Sequence, residues 1–92
     1  EAASKETIAD IENIIQAENG ILALNELLSM HMGPDDILIT LSVDFKDGLT
    51  TEHAEQIITA LEQQIKSRHP FVKRLFIEVQ SVKGHLASLT TP

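Results

Sequence analysis

The sequence predicts an α/β protein of the α+β kind, an open-faced two-layer sandwich ordered helix, strand, strand, helix, strand around a three-stranded mixed sheet. Three observations carry this. Ile37, Ile39, Leu41, Val43 and Phe45 alternate with Leu38, Thr40, Ser42 and Asp44, the period of two of a strand with one buried face. Ala54, Ile57, Ile58, Leu61 and Ile65 fall on one stripe of a helix. Between the alternating strand and the apolar stretch before it, "MGPD" is short enough only for a hairpin, whereas the strand–helix–strand unit after it requires a right-handed crossover and hence parallel strands.

Taken in order, Ser4 caps a first helix whose apolar positions are Ile8, Ile11 and Ile15, and Asn19-Gly20 is the expected stop. "ILALNELLSMHM" reads as a strand of imperfect alternation. Glu26 would point inward if Leu24 and Leu28 do, which suggests a bulge. The central strand ends at Asp47-Gly48 by turn chemistry. Thr50 or Thr51 caps the second helix, which runs to about Ser67, with Glu52 and Glu55 in its first turn and Lys66 and Arg68 near its end, as the helix dipole favours. Pro70 forbids continuation and holds His69 extended. Lys73 to Ser81 then alternates as a last strand. Residues 1–81 thus form the domain, and 82–92 read as a loosely ordered tail. With both helices on one face, the arrangement is ferredoxin-like without its first strand.

Composition narrows the function. A chain of 92 residues with 42% hydrophobic content builds one core, and three Phe as the only aromatics make it aliphatic. A net charge of −7 with scattered Lys and Arg argues against nucleic acid and against anionic membrane surfaces, and suits cations. The absence of Cys removes disulfides, thiolate metal sites and thiol nucleophiles. The opening "EAASKET" lacks a Met, which reads as a processed or excised fragment. No strained nucleophile turn stands beside a His and an Asp, and there is no Gly-rich phosphate loop, so the sequence offers no enzyme chemistry.

The uncovered sheet face is the candidate site. A turn on residues 32–35 sets His31 against Asp36, Ser29 against Leu38, Leu27 against Thr40 and Asn25 against Ser42. That face then mixes Leu27, Leu38 and Phe76 with Asn25, His31, Ser42, Glu78 and Gln80, as a homodimer interface does. Met30, His31, Met32, Asp35 and Asp36 together look like a metal cluster. In context Gly33-Pro34 make the turn, Met30 and Met32 point to the core, and His31, on the open face, reads as a turn or interface residue ahead of a ligand.

"HMGPDDILITLSVDFKDGLTTEHAEQI" followed by "LEQQIKSRHPFVKRLFIEVQS" resembles the cytosolic C-terminal domain of cation diffusion facilitator transporters. "GPDDILITLSVDF", the Asp-Gly-Leu and "RHPFVKRLFIE" are the most specific parts, and the likeness runs from about Glu1 to Ser81. The resemblance implies a proton-coupled exporter of zinc, iron or manganese whose transport site lies in membrane helices outside this chain. It also implies a V-shaped homodimer on the cytoplasmic side, stabilised by metal between protomers. The family's ligand positions fall on Asn25, Ser42, Glu78 and Gln80, with a further one on Glu55. Asn, Ser and Gln are weak zinc ligands, so the resemblance implies a lost site, or one rebuilt from Glu78 with His31 to hold a divalent cation. The runner-up is a free-standing metal-carrying or small-ligand-sensing module of the same fold, although such carriers usually present a Cys pair; a third reading, an enzyme subunit, has no support here.

Overall fold

Ser4, in extended geometry, accepts the Thr7 amide at 3.2 Å and starts α1 (Lys5–Gln16), as its position before the Ile stripe dictates. The computed structural model of the protein describes residues 3–80. The proposed tail, 82–92, lies outside the described residues, as does Ser81. The first helix ends earlier than Asn19-Gly20: its cap is Ala17 in right-handed geometry, and neither Asn19 nor Gly20 has a positive φ. Gly20 answers to space instead. A Cβ there would collide with the end of the Ile57 side chain.

Strand β1 (Ile21–Gly33) pairs antiparallel with β2 (Asp36–Phe45), and β2 pairs parallel with β3 (Val72–Val79), giving the mixed order β1-β2-β3. Helix α2 (Thr51–Arg68) makes the crossover; the Thr50 side chain caps it by accepting the His53 amide at 3.1 Å. Gly48, at φ +86°, supplies the left-handed turn before it. Ile11, Ile14 and Ile15 of α1 and Ile57, Leu61 and Ile65 of α2 bury against Ile37, Ile39, Leu41 and Val43 of β2. This is the predicted sandwich, with an aliphatic core and one bare sheet face. No helix among the described residues is long and apolar enough to cross a membrane.

The hairpin register differs from the expected one. The turn consists of Pro34 and Asp35 alone, Gly33 pairs with Asp36, and Met32 is bulged out. Neither turn residue has a positive φ, so the turn is not of the primed kind that matches strand twist. An extra residue beside it absorbs the mismatch. Because strand side chains alternate with a period of two, that one-residue slip exchanges faces. His31 now opposes Ile37, Ser29 opposes Ile39 and Leu27 opposes Leu41, all on the helix side; Met30, Leu28 and Glu26 take the open face opposite Leu38, Thr40 and Ser42. His31 and Leu27 therefore leave the open face, and Met30 leaves the core, half-exposed like Met32. Ser29 confirms the side, since its hydroxyl accepts the Ala3 amide at the start of α1.

A second bulge at Asn25 restores the first half of β1. Leu24 pairs with Val43 on the core side although Glu26 pairs with Ser42 on the other. This resolves the conflict between Leu24 and Glu26 visible in the sequence. Asn25 itself has no partner on β2.

Candidate functional site

The bare face is built in rows across three strands. Met30, Leu38 and Arg74 form one row; Leu28, Thr40 and Phe76 the next; Glu26, Ser42 and Glu78 the third. The first two rows carry the exposed apolar side chains: Phe76 is 61% exposed, Leu28 57% and Met30 52%. Large apolar side chains this exposed and this close together mark an interaction surface rather than scattered surface leucines. Arg74 closes the strip at one end, its Nη2 3.6 Å from Asp36 Oδ2.

The third row is acidic. Glu26 and Glu78 flank Ser42 from the two outer strands, and with Thr40, Leu41 and Phe76 they line a shallow hollow of about 150 Å³. The Ser42 hydroxyl donates to Gln80 Oε1 at 3.1 Å, which ties the residue after β3 to the middle strand. Asp44, one position further on the same side of β2, is buried to 6% exposure, and its Oδ1 has no hydrogen-bond partner among the described residues. A buried carboxylate oxygen without a donor is costly unless a cation or proton meets it.

Of the residues read from the sequence, Leu38, Thr40, Ser42, Phe76, Glu78 and Gln80 share this face. Leu27 packs against the core and Asn25 is the bulge residue. His31 is not brought near Glu78: it stands beside the hairpin turn and on the other side of the sheet. Glu55 projects from α2, in the layer behind the sheet. Glu26 is the residue that the sequence reading missed. No group of three His, Cys, Asp or Glu side chains capable of holding a metal exists within one chain among the described residues.

A family model described as the cytoplasmic domain of cation efflux proteins matches residues 3–82. The chain belongs to that family. It is accordingly a domain of a transporter family and not of an enzyme class. Solved structures agree on the fold. The MamM CTD in a nickel form superposes with a TM-score of 0.74 at 15% identity, covering 85% of this chain and 98% of that one. A cadmium form of the MamM CTD gives 0.73 at 16% identity, with 84% and 95% covered. A further MamM CTD variant gives 0.74 at 15%, with 85% and 96% covered. No curated protein matches the chain by sequence. As a cation efflux cytoplasmic domain, the protein carries an open sheet face with an apolar strip and an acidic row.

Proposed function

We propose that this cation efflux domain is the homodimerisation and regulatory domain of a proton-coupled exporter of a divalent cation of the zinc, iron or manganese class, working on the cytoplasmic side of the membrane that the rest of the transporter spans. The observation that carries the reading is the apolar strip of Leu28, Met30, Leu38 and Phe76 on a sheet face that no helix covers. A two-fold symmetric partner presents the same strip, so the two faces bury each other.

The acidic row gives the dimer its response to metal. Two copies packed through the strip bring Glu26 and Glu78 of each chain toward their counterparts, and like charges at close range repel. A divalent cation removes that repulsion, and carboxylates together with the orphaned Asp44 oxygen suit a hard or borderline ion better than thiolates would. Glu78 and Glu26 are the ligands on this reading, with Ser42 and Gln80 lending weak oxygen donors. The nickel and cadmium forms of the MamM CTD lend support, since they pair the same fold with divalent ions. Metal that favours the closed dimer biases the transporter by its differential affinity for the two states.

Sedimentation of the wild type beside Phe76→Asp tests the interface. A dimer that the substitution dissociates supports the strip; a wild type that stays monomeric at high micromolar concentration, or an unchanged variant, removes it. Calorimetry with Zn²⁺, Mn²⁺ and Fe²⁺ on the wild type and Glu78→Ala tests the acidic row. Heat that the variant loses supports Glu78 as a ligand; no heat, or unchanged heat, eliminates it.

A further inference from the structure

The net charge of −7 conceals a strong polarity. The β1–β2 turn, the start of α1, the end of α2 and the start of β3 all lie at one end: Val72 pairs with Ile37 there, and Thr7, Ile37, Arg68, His69 and Phe71 line a common hollow. Lys5, Lys66, Arg68, Lys73 and Arg74 sit at this end and are exposed; of the described basic residues only Lys46 does not. Arg68 and Arg74 are engaged with Asp10 and Asp36, whereas Lys5, Lys66 and Lys73 take part in no ion pair among the described residues. Asp44, Asp47, Glu52, Glu55 and Glu78 gather toward the opposite end, beside the α2 start and the end of β3.

The basic end also exposes Met32 at the hairpin turn and Phe71 between α2 and β3, each about half-exposed. Cationic side chains around protruding apolar ones complement an anionic lipid surface, where the ammonium groups meet phosphates and the apolar tips enter the headgroup boundary. A phosphate backbone alone would gain nothing from Met32 or Phe71. Glu6 and Asp35, with the paired Asp10 and Asp36, share this end and offset most of its charge, so the attraction is modest and screened by salt.

We propose that this end rests against an anionic phospholipid surface, with Lys5, Lys66, Lys73 and Phe71 as its contacts and the acidic end turned away. This contact does not depend on whether the domain responds to metal.

Flotation of the full chain with vesicles at low ionic strength tests this. Vesicles of equal parts phosphatidylcholine and phosphatidylglycerol should bind at least about tenfold more tightly than phosphatidylcholine alone, with each cation at the surface contributing roughly fivefold. Lys66→Glu with Lys73→Glu should lower that binding by about 25-fold or more, and Lys46→Glu, at the other end, should leave it unchanged. Phe71→Ser should weaken binding to both vesicle types, with circular dichroism verifying that each variant is folded. The proposal is overturned by absent binding to the mixed vesicles, by equal binding to both compositions, or by a double variant that binds like the wild type. Tighter binding to duplex DNA than to the vesicles would also overturn it, assigning the end to nucleic acid.

Discussion

Glu26 stands opposite Ser42 across the β1–β2 pair, in the place that a turn on residues 32–35 would give to Asn25. The bulge at Asn25 makes this arrangement possible, because it lets Leu24 stay in the core while Glu26 reaches the open face. Because Asn25 is the extra residue, its deletion should leave Leu24 opposite Val43 and Glu26 opposite Ser42 in regular alternation, at a cost under about 2 kcal/mol. Deletion of Leu28, which is paired with Thr40, should instead carry Leu27 to the open face and Glu26 to the core side, costing about 3–6 kcal/mol. Urea unfolding of the two deletion variants checks this; equal losses would mean that the bulge does not set the register.

The close approach of Gly20 to Ile57 leads to a second prediction. A methyl group at position 20 would meet the buried Ile57 side chain of α2, with Leu49 beside it. Gly20→Ala should therefore destabilise the fold by about 1–3 kcal/mol through overpacking, despite the entropy that Gly→Ala usually removes from the unfolded chain. Gly20→Ala with Ile57→Val should recover part of the loss if the contact is its cause. Thermal melts of the single and double variants decide it.

Ile39 lies at the centre of the middle strand with no exposed surface, between the two helices and in register with Ser29 and Leu75. Ile39→Ala should cost about 2–5 kcal/mol, the range for opening a cavity in a packed aliphatic core. For a domain of this size that approaches the whole stability. Thr40→Ala, one residue along on the open face, should change stability by less than about 1 kcal/mol. Denaturant titrations of the pair report how fully the helices cover one side and leave the other bare.

The pattern of elements was legible because the strong signals were local. The Ile stripes of the helices, the nine-residue alternation from Ile37 to Phe45, the caps at Ser4 and Thr50 and the break at Pro70 each point to one conformation. The hairpin register was not legible, since it depends on how a Pro34–Asp35 turn without positive φ reconciles itself with strand twist, and the answer is an extra residue at Met32. That one residue decides the candidate site. It moved His31 and Leu27 off the open face and brought Glu26 and Met30 onto it. The signal for Glu26 was present in the clash between Leu24 and Glu26, which a bulge at Asn25 resolves. The charge polarity was hidden for another reason: Lys5, Lys66 and Lys73 are far apart in sequence and meet only when α1, α2 and β3 share an end.

Asp10 of α1 is the acceptor for two side chains at the end of α2. Arg68 donates from Nε to Oδ2 at 3.0 Å and from Nη2 to Oδ1 at 2.8 Å, and His69 Nε2 lies 2.6 Å from Oδ2. The hydrogen bond with His69 holds the Asp10 carboxyl below its ordinary value; desolvation opposes this and the Arg68 charge adds to it. A carboxyl that is lowered in the folded state stabilises the fold at pH above its unfolded value, and the contribution disappears as pH falls through the folded value. Asp10→Asn should accordingly lower stability at neutral pH and have progressively less effect below the ordinary aspartate range, as the wild type loses the same charge. Because the pair is partly exposed, the neutral-pH difference should shrink with added salt. Urea unfolding of both proteins from neutral to strongly acid pH checks the sign: a difference that grows on acidification would mean that the carboxylate is not what ties α1 to α2.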